Sequence, residues 1–576
     1  MTWKTIPPHL HKYVVKQDFQ RYTSIDHACW RFIMRISRQY FQQTAHPAYL
    51  KGLAACGIEQ ERITKIEEMD HKLSAFGWGA VCVRGFIPPA AFMELQSLGV
   101  LAIAADMRSL EHLTYTPAPD IVHEAAGHAP IIADPDYADY LKKYGEIASK
   151  AITSTEDIRL YHAIRDLSDI KENLRSTPDE IRNAKASLED AAGNISYISE
   201  AAYMSRMNWW TVEYGLIGSL DHPRIYGAGL LSSLSESYNC LTDKVIKHPF
   251  TLDCIHYSYD ITEPQPQLFV TPDFYTLSEV LEEFTQTLAF RTGGLEGLIK
   301  AQQAGTVTTT VMNSGIRISG VLSQVTLDDS DQPAYLQYTG PVQLCTDTGQ
   351  LAGHGGDYHT HGYGTPVGSI VKISNQLDTN LNRADLMKGR EMTICFGSGV
   401  TVQGKLTRVV RASEVPILLT FKSCTVTQGN QILFRPEWGF FDMAIGEKVI
   451  SVYGGPSDWP AYVPYMDDRE PTHDLTPASE TDTSSTRLRI DLYRRVRAIR
   501  ESGTPNLEEL QKIHERISDE YPDDWLLNME ILEIIAPFTP PPPWRHPLEM
   551  TLRDRSHGKS DLTDTLKQGL DLIVRP

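Results

Sequence analysis

Tyr115-Thr-Pro-Ala-Pro-Asp-Ile-Val-His-Glu-Ala-Ala-Gly-His-Ala-Pro130 holds two histidines, His123 and His128, five positions apart. Metal-binding histidines on one helix face are four apart in the zinc-protease pattern, because that spacing sends both rings from the same side. Five residues turn an ideal α-helix through about 500°, which leaves the two rings roughly 140° apart. Gly127 and Pro130 bracket His128, so a helix can end there and let the second ring swing toward a shared ion. Alone, the pair is weak evidence for a metal, and surface or structural histidines are the ordinary reading.

A second stretch, Trp209-Trp-Thr-Val-Glu-Tyr-Gly-Leu216, gives the pair a meaning. An acidic residue in so apolar a helical segment is unusual, because an unpaired buried carboxylate is costly. Glu213 needs a cation, and two neutral imidazoles need a third anchor. Two histidines and one carboxylate on one face of an iron leave three coordination positions open for oxygen chemistry. An arginine partner would satisfy Glu213 too, but would leave the histidine pair unexplained.

Length and composition bound what surrounds these residues. At 576 residues the chain exceeds one compact core, and roughly three to four domains are expected. Hydrophobic content of 41% and charged content of 22% are ordinary for a globular protein. The longest apolar runs, such as Val100–Ala105, are far too short to cross a bilayer. The start, MTWKTIPPHLHKY, has no apolar core and no cleavage site, and eight scattered cysteines form no CxxC pair. A cytoplasmic protein with reduced thiols is therefore expected. A net charge of −19 argues against nucleic-acid and anionic-membrane partners, which need a basic surface.

The pattern predicts a multi-domain chain. Residues 1–300 read as mainly helical. Ala28, Trp30, Phe32, Ile33 and Ile36 recur at helical spacing within Asp26–Phe41, and further helices are expected at Pro135–Ile152, Ile195–Gly218 and Leu277–Leu288. The charged stretch 153–194 reads as an inserted helical hairpin with a solvated surface. Its two helix starts are Ser154 with Asp157, and Thr177 with Pro178 and Glu180. From about Gly305 the period changes to short runs rich in Val, Ile and Thr: Val307–Val311, Ile316–Val325, Ile370–Ile373, Met392–Phe396, Ile417–Phe421 and Ile432–Phe434. These predict an all-β domain over 304–464, a barrel or sandwich. Residues 467–486 read as a linker, and 487–576 as a helical region with a Pro-rich tail at Pro540–Pro543.

With both metal-candidate stretches in view, a family resemblance becomes visible. YTPAPDIVHEAAGH, WWTVEYGL, YGAGLLSSLSES (Tyr226–Ser237) and ITEPQPQLFV (Ile261–Val270) stand in the order found in the tetrahydropterin-dependent aromatic amino acid hydroxylases. The chain resembles that family over about Tyr22–Arg291, and most of all its phenylalanine-hydroxylating members. The resemblance implies a monooxygenase that uses Fe(II), O₂ and a tetrahydropterin (tetrahydrobiopterin or a related pterin), on a small aromatic amino acid. It implies His123, His128 and Glu213 as iron ligands. It places Arg108 at the substrate carboxylate with Asp120 holding it, and Thr116, Gly229 and Ser232 at the amino-acid end of the pocket. Trp209, Pro119 and the His123 ring would enclose the aromatic side chain. Gly85, Phe92 and Glu124 correspond to pterin contacts, with Glu124, Arg108 and Ser232 the expected catalytic set. A plain core role stays open for Phe92, and close helix packing for Gly229.

Ile261 stands where tyrosine-hydroxylating members carry an acidic residue. Trp209 is bulky where tryptophan-hydroxylating members use a smaller ring. Phenylalanine, converted to tyrosine, is the expected substrate, with tryptophan or tyrosine hydroxylation and a catalytically silent amino-acid-binding relative as alternatives. A zinc hydrolase built on His123-Glu124 is the reading from another enzyme class. The family pattern is departed from in four places. His128 and Glu213 are 85 positions apart (213 − 128), Pro89 and Ala102 replace polar residues near the pterin, no regulatory domain is expected before Tyr22, and roughly 270 residues replace a short assembly helix. Homo-oligomerisation stays open. In the β region, His354, His359 and His361 within GHGGDYHTHGYG form a candidate second metal site, although a Gly-rich mobile loop is the ordinary reading.

Overall fold

The computed structural model describes residues 2–85, 87–114, 119–172, 176–261, 263–374, 379, 381, 386–466, 484–557 and 561–574. The first long helix, Ser24–Thr44, starts at a reciprocal cap: the Thr23 hydroxyl accepts from the Asp26 N–H, and the Asp26 carboxylate accepts from the Thr23 N–H. Ala28, Trp30, Phe32, Ile33 and Ile36 are all buried, but so are His27 and Arg31, which a helix with one apolar face would leave in water. The cause lies at the other end of the chain. Helices Ser484–Ser502, Trp525–Ile535 and Asp561–Val574 pack on this helix. Phe32 meets Trp525 edge to face with ring centroids 5.0 Å apart. The buried Arg31 Nε donates to Glu530 at 2.8 Å, and Arg35 pairs with Glu533. One apolar core therefore runs from the amino-terminal helices into the carboxy-terminal ones.

Two small sheets carry the rest of this half. Gly79–Val83 and Val100–Ala104 form a parallel pair. A four-stranded sheet has the order Pro223–Ile225, Leu216–Gly218, Gln267–Thr271, Ile246–Pro249. The helix expected over Ile195–Gly218 is in fact three pieces: an α-helix Glu200–Asn208, a π-helical turn Trp209–Glu213, and the strand Leu216–Gly218. The segment 153–194 holds helices Thr155–Glu172 and Pro178–Gly193, packed on each other. Each start is capped reciprocally, Ser154 with Asp157 and Thr177 with Glu180.

Beyond Ala289 the core changes. Helix Gly294–Ala304 buries Leu298, Ala301 and Ala304 against β residues such as Ile318 and Val452, so it packs with the β region rather than with the helices before it. That region is two antiparallel six-stranded sheets. One is ordered Gly349–Gln350, Pro333–Thr346, Arg317–Leu327, Val307–Met312, Val449–Gly454, with Gly362–Pro366 also on Pro333–Thr346. The other is ordered Ile370–Ile373, Glu391–Phe396, Val400–Ala412, Val415–Gln428, Gln431–Phe434, with Phe441–Ala444 also on Val415–Gln428. Two of the longest strands, Pro333–Thr346 and Val400–Ala412, have no counterpart among the expected runs. The first is interrupted by Gly340-Pro341, and the second alternates Val and Leu with Gln, Lys and Arg, as a one-side-solvated strand does. Residues 467–483 of the expected linker lie outside the described residues. Ser484 is already helical, so the expected linker end at 486 is corrected. All eight cysteines are unpaired, and no described helix is long and apolar enough to cross a membrane.

Candidate metal centre

His123 and His128 sit on a π-helical segment, Val122–His128. Its i→i+5 hydrogen bonding lays residues five apart nearly one above the other, which removes the 140° discrepancy of an α-helix without ending the helix at Gly127. Glu213 ends the second π-helical turn, Trp209–Glu213. The His123 and His128 Nε2 atoms are 3.2 Å apart, with ring planes at 89°. Glu213 Oε2 lies 3.3 Å from His123 Nε2, and Oε1 lies 3.4 Å from His128 Nε2. Three donor atoms at these separations fit one ion about 2 Å from each. Burial alone would push the Glu213 carboxyl up, but the two imidazoles outweigh it and hold the carboxyl well below the usual carboxylate range.

Four glycines weld the two π turns to helix Ala228–Ser232. A Cβ on Gly127 would lie 2.7 Å from the Ala228 carbonyl oxygen, and one on Gly227 2.5 Å from the Glu213 carbonyl oxygen. A Cβ on Gly229 would meet the Tyr214 ring at 2.8 Å, and one on Gly215 the Tyr226 hydroxyl at 2.3 Å. Close packing against the Glu213 turn is thus what Gly229 does.

Hydrogen bonds orient the ligands. The buried Ser232 hydroxyl donates to the Ala228 carbonyl at 2.8 Å, so toward His123 Nδ1, 3.0 Å away, it accepts. That places the imidazole proton on Nδ1 and leaves the Nε2 lone pair facing His128 and Glu213. The Asp120 carboxylate accepts from the His123 N–H at 3.0 Å and from Arg108 Nε and Nη2 at 2.7 and 2.8 Å. Burial raises the Asp120 carboxyl, but Arg108 and these hydrogen bonds bring it below its ordinary value. Arg108 Nη1 donates to the Ser232 carbonyl at 3.0 Å. Among the described residues, three of the five guanidinium N–H groups are thereby used, and one on each Nη remains.

Glu124 is buried, 3.9 Å from His128 Nε2. Burial first, then the Glu213 and Asp120 carboxylates, push it up to about 8 against the pull of His128. Trp209 is held between two aromatic rings. Its ring stacks on Tyr259 at 4.4 Å and on Tyr214 at 4.6 Å, and its Nε1 donates to Gln265 at 3.2 Å. Tyr259, Tyr214 and Gln265 were not singled out from sequence, although Tyr214 and Gln265 lie inside the quoted blocks. Pro119 is half-buried, and Thr116 lies outside the described residues. Gly85 has φ +57° with open space where a Cβ would stand, so backbone conformation is its requirement. Phe92 packs, half-buried, on the small core of Leu10, Val83 and Leu95.

A model of the biopterin-dependent aromatic amino acid hydroxylases matches residues 11–199 and 186–292. Residues 11–292 thus resemble that family over about half of the chain. The phenylalanine-4-hydroxylase of Pseudomonas aeruginosa is 28% identical over 302 residues, covering 51% of this chain and 98% of that protein. That of Chromobacterium violaceum is 26% identical over 279 residues, covering 46% and 79%. A solved structure of the Chromobacterium violaceum enzyme with bound iron(III) and 7,8-dihydrobiopterin covers 48% of this chain and 85% of its own, at 26% identity and a TM-score of 0.38.

Proposed function

We propose that this chain is a phenylalanine 4-monooxygenase that forms tyrosine from phenylalanine with O₂, Fe(II) and a tetrahydropterin. The observation that carries the reading is the convergence of His123, His128 and Glu213 donor atoms within 3.2–3.4 Å, on a π-helical pair, inside the part of the chain that resembles this family. Bound iron, with the pterin supplying two electrons, activates O₂ so that one oxygen atom enters the aromatic ring.

The protein's own part is positioning. His123, His128 and Glu213 would hold the iron, and a set of only three protein ligands would leave it able to take up oxygen. Ser232 sets the His123 tautomer. Asp120 spends two oxygens on Arg108 and leaves one N–H on each Nη, donors of the kind that hold an amino-acid carboxylate. Ser232 belongs to that end of the pocket, and Gly229 lets its helix approach the Glu213 turn there. Trp209, fixed by its two stacked tyrosines, and Pro119 bound the apolar part, where water is excluded. Gly85, Phe92 and Glu124 receive the pterin, Phe92 through its uncovered surface.

The test is anaerobic reconstitution with Fe(II), then phenylalanine, tyrosine or tryptophan with tetrahydropterin and O₂, with products identified by mass. Tyrosine from phenylalanine is expected. Hydroxylation of another amino acid instead corrects the substrate, and no hydroxylated product from any of the three overturns the reading.

A further inference from the structure

We propose that the β region holds a second site for a divalent first-row transition ion, built from His354, His359 and Asp442, which ties its two sheets together. A ring nitrogen of each histidine and a carboxylate oxygen of Asp442 lie within 4.8 Å of one another, and all three residues are buried. His354 Nδ1 and His359 Nε2 face each other at 3.3 Å, the edge expected of a four-coordinate ion about 2 Å from each nitrogen. His361, the third histidine of the sequence motif, is exposed and takes no part.

The loop is not free to drift. His354 N–H donates to the Leu351 carbonyl, the His354 carbonyl accepts from Leu344 N–H at 2.9 Å, and the His359 carbonyl accepts from Val342 N–H at 3.1 Å. Both histidines are thereby pinned to strand Pro333–Thr346 of the first sheet. Asp442 belongs to strand Phe441–Ala444 of the second sheet, where the Thr420 hydroxyl donates to its Oδ1 at 2.6 Å. An ion here would bridge the sheets.

One further observation favours an ion over a histidine–histidine hydrogen bond, which would leave the buried Asp442 carboxylate with hydroxyl partners but no cation at the cluster. Arg408, the positive group within electrostatic reach of His354, is exposed and solvent-screened. Two imidazoles and a carboxylate without thiolate suit Zn²⁺, Co²⁺ or Fe²⁺ rather than Mg²⁺ or Ca²⁺.

The experiment uses the full chain carrying His123→Ala and His128→Ala, stripped with chelator and titrated with Co²⁺ alone. One equivalent should bind with visible d–d absorption and raise Tm, and adding His359→Asn should abolish the binding and the shift. No Co²⁺ bound by the double variant, or binding unchanged by His359→Asn, overturns the site. Metal content of the unaltered chain decides the matter if a variant fails to fold: two ions per chain at saturation support the site, and one overturns it.

Discussion

The two halves of this molecule each bring together two histidines five apart and one distant carboxylate. In the helical half the carboxylate is 85 positions beyond the second histidine (213 − 128), and in the β half it is 83 positions beyond (442 − 359). The means differ. His123 and His128 are brought into line by a π-helical turn, whereas His354 and His359 reach theirs on a Gly-rich loop pinned to a strand. Spacing therefore says little until the backbone is known. The same five-residue interval works on two unrelated scaffolds, and on an ordinary α-helix it would fail on both.

The surroundings separate the two clusters further. The first is fixed by Ser232, Asp120 and four glycines that bring backbones into contact, and Arg108 beside it keeps unspent donors. The second lies between two sheets with no comparable fork beside it among the described residues. On the functions proposed for them, one cluster meets a substrate and the other holds a fold.

The contrast breaks most completely at Glu213. Glu213→Ala should lose the iron and at least about a thousandfold in product formation, as expected when an interaction central to the chemistry is removed. Metal analysis and circular dichroism check that the chain folds and that iron alone is gone, and full iron occupancy in the variant would refute the ligand assignment. A buried charge held without any ion gives the next largest effect. Glu530→Ala strands the Arg31 guanidinium in the core, and chemical denaturation should report about 3–5 kcal/mol lost. Ser232→Ala removes the acceptor that sets the His123 proton. Iron affinity should fall about 10–100-fold by competitive chelation, with little change in far-UV signal.

Gly127→Ala drives a methyl toward the Ala228 carbonyl. A loss of about 1–3 kcal/mol is expected, and iron affinity should fall with it because the π turn must shift. The smallest effect belongs to His27, whose Nδ1 accepts from Ile63 N–H at 3.2 Å. Burial, then the Arg497, Arg31 and Arg62 guanidiniums, hold it down to about 3, against 6.5 unfolded. Between those values the unfolded chain takes up a proton that the folded chain refuses, so stability should fall as pH drops from 6.5 toward 3. His27→Gln should flatten that slope in a pH series of denaturation midpoints.

How far these features could be read from sequence follows from how local their causes are. Thr177 and Glu180 announce a helix start because both halves of the cap lie within four residues. Glu213 stood out because a carboxylate among Trp, Trp, Val and Tyr has no local excuse. Asp442, between Phe441 and Met443, carries the same signal in a strand, but no motif surrounds it to give that signal a meaning. The π turns were illegible, since Val-His-Glu-Ala-Ala-Gly-His has no composition that distinguishes i→i+5 from i→i+4 bonding. The pairing of Arg31 with Glu530 spans 499 positions, and nothing near either residue names the other.

That last pairing has a consequence for how the molecule is made. A ribosome emits Arg31 499 residues before Glu530. Until then Arg31 has no counter-charge and Phe32 no Trp525 to cover it. The nascent enzyme must carry an unsealed seam while everything between the two residues is made. A chain cut short anywhere between Asp442 and Trp525 would hold both histidine–carboxylate clusters and leave its founding helix open to water.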